Sequence, residues 1–151
     1  MEYLTLFFDS LRNLADQYGA LLIIDETHTQ STGRGGYTRQ HGLAPDIFVI
    51  GKCVAGGMPT ALWGMTDAVA KRFQTYDAAR SSGHSGMGTT LAGNPMQFAC
   101  LEATLSKVAT PDAFVHMNAG ATRLTAGLDD AIAQAGFGDA VAPLGTALTE
   151  Q

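Results

Sequence analysis

The chain opens with apolar residues at helical spacing. Leu4, Phe7, Phe8, Leu11, Leu14, Ala15 and Tyr18 share one face, and Asp9, Arg12, Asn13 and Asp16 take the other. That pattern predicts an amphipathic helix, ended by Gly19. "ALLIID" follows at once, an unbroken apolar run rich in β-branched residues, and predicts a buried strand ending near Asp25. A polar, glycine-rich connection fills residues 26–45 before Pro45 and Asp46 introduce "IFVIG", a second buried strand. "TALWGMT" predicts a third strand, and Asp67 is placed to cap a short helix over "AVAKRF". Residues 74–92 read as a long loop, which inside a compact domain is usually functional or disordered. Asn94-Pro95 pairs a capping side chain with proline at the first helical position and predicts a helix to about Val108; Thr110-Pro111 repeats the device. The helix behind it is predicted to bury Phe114, Met117, Ala121, Leu124 and Leu128 and to stop at Gly136, after which "FGDAVAP" begins a further strand.

Helices alternating with apolar strands predict an α/β fold, a mostly parallel sheet flanked by helices. Ligands in such sheets sit beyond the carboxyl ends of the strands. Asp25 and Lys52 both stand at those ends, so the two polar groups that punctuate the strands are predicted to converge on one rim. Two or three strands make an incomplete sheet. The chain therefore reads as the middle of a larger domain, cut at both ends.

Composition narrows the class. A chain of 151 residues, 46% apolar and 15% charged, is globular and long enough for one core. The net charge of −5 is scattered along the chain, which argues against a nucleic-acid partner. No apolar run approaches a membrane span, and the N-terminus lacks the pattern of a signal peptide. Cys53 and Cys100 lie far apart and read as free thiols in a cytoplasmic protein. The 18 glycines cluster at "TGRGG", "AGG" and "SSGHSGMG", where backbone must turn tightly or approach something closely.

Lys52 closes an apolar run and is followed by the small residues "CVAGG". An isolated Gly-Lys of this kind is most often a lysine reaching out to solvent. A phosphate-binding P-loop fails, because Asp46 stands where its first glycine should be and Cys53 replaces the Ser or Thr. An amine among small residues at a strand end can instead form a Schiff base with a carbonyl. Asp25 has two readings as well: a cap on a nearby backbone amide, or a carboxylate facing a pyridinium nitrogen. Pyridoxal phosphate chemistry needs that lysine and that acid together. "SGHSGMG" approaches the Gly-x-Ser-x-Gly nucleophile elbow, but Met87 takes the place of the second glycine and no buried strand precedes it. The histidines at 28, 41, 84 and 116 show no metal-ligand spacing.

Taken in order, "LLIIDETHTQSTGRGG", "PDIFVIGKCVAGGMP" and "GTTLAGNP" resemble the signature of the class III (ω-type) aminotransferases, fold type I enzymes dependent on pyridoxal 5'-phosphate. The resemblance covers roughly residues 4–137. It rests on a strand ending in Asp-Glu, a Gly/Arg loop, a Pro-Asp strand ending in Gly-Lys, a Gly-Gly-x-Pro turn and a Gly-Asn-Pro turn.

The resemblance implies that Lys52 holds the cofactor as a Schiff base and then shuttles the proton between substrate and cofactor. It implies that Asp25 binds the pyridine nitrogen, that Thr27 packs on the ring face and that His28 lies near the ring's 3'-oxygen. Thr90 matches the threonine that binds the cofactor phosphate of the neighbouring subunit, which implies a homodimer. Small-molecule amino donors and acceptors are the implied substrates; aminomutases and epimerases belong to the same class. Two positions depart from the common pattern: Thr27 stands where an aliphatic residue is usual and His28 where Gln is frequent. Glu26 is either a loop cap or a hydrogen-bonding partner within the site. Family members are far longer, so residues 1–151 are expected to be part of the cofactor-binding large domain, without its N-terminal part or the C-terminal small domain. By itself such a chain is expected to be inactive, and a truncated, non-catalytic remnant is the alternative.

Overall fold

The computed structural model describes residues 2–81, 87, 88 and 90–138. Helix α1 (Glu2–Tyr18) leads into strand β1 (Ile23–Asp25), a short helix α2 (Gly36–Gln40), strands β2 (Ile47–Ile50) and β3 (Leu62–Met65), and helices α3 (Asp67–Ala78), α4 (Pro95–Ala103) and α5 (Pro111–Gln134). The described strands form one three-stranded sheet in the order β1-β2-β3. β1 runs parallel to β2, with Asp25 beside Val49. β3 runs antiparallel, with Ile50 beside Leu62.

The mixed sheet follows from the connections. Between β1 and β2 the chain has room for a crossover, whereas a parallel return from β2 to β3 would need a long crossover, usually a helix. Only a short 3-10 turn, Lys52–Ala55, and a few residues of turn and bend join β2 to β3, so the chain folds straight back.

Local signals set the helix ends. Gly19 adopts φ 63° beyond α1, the left-handed conformation in which a side chain would be strained. Asn94 Oδ1 accepts from Gln97 N at 3.0 Å with Pro95 in the first turn, and Thr110 Oγ1 accepts from Ala113 N at 3.2 Å ahead of α5. At α3 the expected cap is displaced by one residue. Thr66 is extended and its hydroxyl accepts from Val69 N, while Asp67 is the first helical residue. α3 also runs on to Ala78, through the start of the predicted loop. α4 widens into a π-helical turn over Thr104–Val108 before Thr110 opens α5. Most of the predicted "FGDAVAP" strand, from residue 139 on, and most of "SGHSGMG" lie outside the described residues.

Neither apolar strand is fully buried: β2 is half-buried along its length, and Ile23 of β1 is exposed. Among the described residues no helix packs broadly across the faces of this sheet, which is why runs patterned for burial are only partly covered. The best-packed region is small and sits at the carboxyl end of β2. Val54, Ala55 and Leu101 are buried together, with Ile50, Met58, Leu62 and Cys100 packed against them. Of the predicted α5 stripe only Ala121 is buried, and Leu124 and Leu128 are exposed.

Candidate active site

β1 and β2 being parallel neighbours, both chains leave the sheet on the same edge. Asp25 is the last residue of β1, and Lys52 follows Ile50 and Gly51 at the end of β2. The rim expected from the sequence is therefore present. Lys52 is exposed and adopts φ 51°, the sole non-glycine residue in the left-handed region among the described residues. That conformation costs an ordinary side chain about 1 kcal/mol and persists only when its surroundings enforce it. The enforcing element is the turn that Lys52 begins. Lys52 and Cys53 face solvent while Val54 and Ala55 insert into the core at 3% and 2% exposure. Val54 N donates to Gly51 O at 3.2 Å, closing the turn.

Asp25 is exposed, and its Oδ1 accepts from both the amide nitrogen of Thr27 (2.8 Å) and the Thr27 hydroxyl. These two bonds, the hydroxyl foremost, hold the Asp25 carboxyl below the ordinary carboxylate range; Lys52 and His28 add a weaker electrostatic pull in the same direction. Oδ2 has no hydrogen-bond partner among the described residues. Thr27 also turns its Cγ2 toward Gly51, where a Cβ would meet it at 3.4 Å. His28 is exposed, and its side chain caps nothing. Thr90 is exposed in the turn before α4, and no hydrogen bond or ion pair among the described residues joins it to Asp25, Thr27, His28 or Lys52.

Glu26 resolves to a loop brace. At 1% exposure its carboxylate accepts from Tyr37 N at 2.6 Å, from Thr38 N and from Thr29 Oγ1 at 3.1 Å. It thereby organises the whole β1-to-α2 connection beneath Asp25. One residue escaped the sequence reading altogether. Gln30 Nε2 donates to Thr27 O at 3.3 Å and to Gly51 O, so it bridges the Asp25 loop and the Lys52 turn. No spacing signal marks it; a glutamine in a polar loop is unremarked until the fold brings two carbonyls to it.

A cavity of about 480 Å³ is lined in part by Gln30 and Cys53, next to this rim. Its lining is mostly apolar, including Phe48, Val54, Phe114 and Met117. It contains neither Asp25 nor Lys52.

Comparisons with known proteins identify the fold and the family. A glutamate-1-semialdehyde 2,1-aminomutase from Roseiflexus castenholzii is 35% identical over 134 residues, covering 85% of this chain and 29% of that protein. A glutamate-1-semialdehyde-aminomutase from Pseudomonas aeruginosa PAO1 superposes with a TM-score of 0.78 at 45% identity, again over 85% of this chain and 29% of the other. A variant of that enzyme has been crystallised in complex with PMP. An omega-transaminase from Sphaerobacter thermophilus gives a TM-score of 0.75 at 27% identity, over 87% and 29% of the two chains. The chain thus spans about 29% of the length of the relatives it matches. The profile of the family described as aminotransferase class-III matches residues 3–148, nearly the whole sequence, and the chain belongs to that family.

Proposed function

We propose that this chain is part of the cofactor-binding large domain of a pyridoxal 5'-phosphate-dependent enzyme. Its reaction moves an amino group between a small-molecule amino donor and a keto acid, aldehyde or ketone. The observation that carries the reading is the pairing of Asp25 and Lys52 at the carboxyl ends of adjacent parallel strands. The residues fit the group chemically: an ionised carboxylate with one oxygen open suits a protonated ring nitrogen, and an exposed lysine amine suits an aldehyde carbon. When bound, the cofactor supplies an electron sink for the carbon that carries the amine.

The chain's own residues do the rest. Lys52 would hold the cofactor through Nζ, and the same amine would take up and release a proton beside the substrate. Asp25 would pair with a protonated ring nitrogen, and the bonds from Thr27 favour its ionised form further. By resemblance to the family, Thr27 would pack on the ring face and His28 would serve the 3'-oxygen. Thr90 would serve the phosphate bound by a partner subunit, which makes the proposed enzyme a homodimer. Cys53 and Cys100 are free thiols, which supports a cytoplasmic setting; no described helix is long and apolar enough to cross a membrane.

A second reading has its own support. The two aminomutase relatives are 35% and 45% identical, against 27% for the omega-transaminase. An aminomutase uses the same lysine and returns the amino group to a neighbouring carbon of one substrate. Assay with and without an added keto acid separates the two, since isomerisation needs no acceptor. Turnover belongs to a longer protein on this proposal, and the 151-residue chain alone should show almost none.

The cofactor proposal is tested directly on the chain. After incubation with pyridoxal phosphate and reduction with borohydride, label is expected on Lys52 in preference to Lys71 and Lys107, which are exposed on helical turns elsewhere. Equal labelling of the three lysines would refute it.

A further inference from the structure

The Asp25 loop and the Lys52 turn leave neighbouring strands, yet little backbone pairing joins them past Glu26 N, which donates to Val49 O at 2.8 Å. Beyond that point the Thr27 methyl lies toward Gly51. What joins the two segments by hydrogen bonds is one side chain, Gln30, whose amide nitrogen carries two protons. One is given to Thr27 O, two residues beyond Asp25, and the other to Gly51 O, the carbonyl of the peptide that begins Lys52. The amide can face only one way here, because both partners are acceptors and its own oxygen would repel them.

We propose that Gln30 is the positioning residue of this site, fixing the peptide that carries Lys52 against the loop that carries Asp25. The inference rests on the cofactor reading above for its functional meaning and on geometry alone for its structural part. Gly51 O accepts twice, from Val54 N and from Gln30, and this fixes the plane of the Gly51–Lys52 peptide. A fixed peptide plane is what holds Lys52 at φ 51° and aims its side chain out of the core. On the other loop, the Thr27 carbonyl is held by Gln30 while its amide and hydroxyl hold Asp25. Gln30 acts through these groups and touches neither Asp25 nor Lys52 directly. Misplacement of a reacting group by about 1 Å can cost on the order of 100-fold in rate, so a tie between the two loops bears on chemistry without taking part in it.

Two variants test this in the full chain. Gln30→Met keeps length and loses the donor; Gln30→Glu keeps shape and replaces the donor with an acceptor. Circular dichroism and thermal melting establish that each is folded. Hydrogen exchange on the cofactor-free chain is then expected to show roughly tenfold faster exchange at the Val54 amide in both variants, with β3 and α5 unchanged. In parallel, the rate of borohydride-trapped labelling at Lys52 is expected to fall roughly tenfold or more while Lys71 and Lys107 label as before. Wild-type exchange at Val54 in both variants, or in Gln30→Glu alone, overturns the positioning role, since only a space-filling glutamine tolerates that change. Should the wild-type chain fail to label Lys52 selectively, the cofactor reading falls, and the exchange result still decides whether Gln30 holds the two loops together.

Discussion

Thr27 does two jobs that an aliphatic residue at its position would split. Its methyl faces Gly51, as a valine's would, and its hydroxyl donates to Asp25. The hydroxyl is the larger cause of the depressed Asp25 pKa, the Thr27 amide the next. Thr27→Val removes the first and keeps the second. Carboxyl carbon-13 titration should therefore show the Asp25 value moving up toward the ordinary range, with Thr27→Ser staying near wild type. The sign follows from which form is favoured: hydrogen bonds donated to a carboxylate stabilise the ionised form, and losing one makes protonation easier. An unmoved titration in Thr27→Val would show that the amide bond alone sets the value. Of these candidate residues, Asp25 and Lys52 were legible as the polar ends of apolar runs. Gln30 was not, because its partners are two backbone carbonyls that come together only after the strands pair.

At the scale of elements, the β1-to-α2 connection shows why a glycine-rich loop can be rigid. Gly36 has φ 64°, and a Cβ there would lie 2.2 Å from Glu26 Oε2, so this position requires glycine for conformation and for space. Gly36→Ala is expected to destabilise the chain by about 2–4 kcal/mol, read as a lower urea midpoint, from strain and from displacing the buried carboxylate. Glu26→Ala leaves the Tyr37 and Thr38 amides without their acceptor and should cost about 3 kcal/mol. A change below about 0.5 kcal/mol in either variant, the range of ordinary surface substitutions, would mean the brace is not formed in solution. The sequence pattern missed α2 for the same reason. Its helical turn is imposed by a distant buried carboxylate, and nothing in "GYTRQ" announces it. The caps at Asn94 and Thr110 were readable because each is settled within a few residues. The direction of β3 was not, since it depends on how far the intervening chain can reach.

For the whole molecule the deciding quantity is how little is covered. Among the described residues the buried hydrophobic side chains are Val54, Ala55, Val69, Leu101 and Ala121 alone. With so small a core, individual polar ties carry an unusual share of the stability. Asp46 is the chief of these: Oδ2 accepts from Leu22 N at 2.8 Å and from Arg12 Nη1 at 2.7 Å, joining α1, the start of β1 and the start of β2. Its pKa is lowered, first by the Leu22 amide and then by Arg12. A carboxyl depressed on folding contributes stability above its unfolded value of about 4, and the contribution is lost as pH falls through the lower folded value. Asp46→Asn should thus lower the urea midpoint at neutral pH by an amount equivalent to about 1 kcal/mol and flatten the decline below about pH 4. Parallel pH profiles for the two proteins would assign the acid sensitivity elsewhere.

The outer strands have a further consequence, for recognition. β1 has three residues and β3 four, so any polypeptide that extends this sheet at either side gains few backbone hydrogen bonds from doing so. Backbone pairing is indifferent to sequence, and where it is scarce the choice of neighbour passes to side chains. Ile23 and Trp63, exposed on the two outer strands, become the discriminating surfaces. Where a longer polypeptide completes the sheet, these short strands leave its register to side chains more than to backbone pairing.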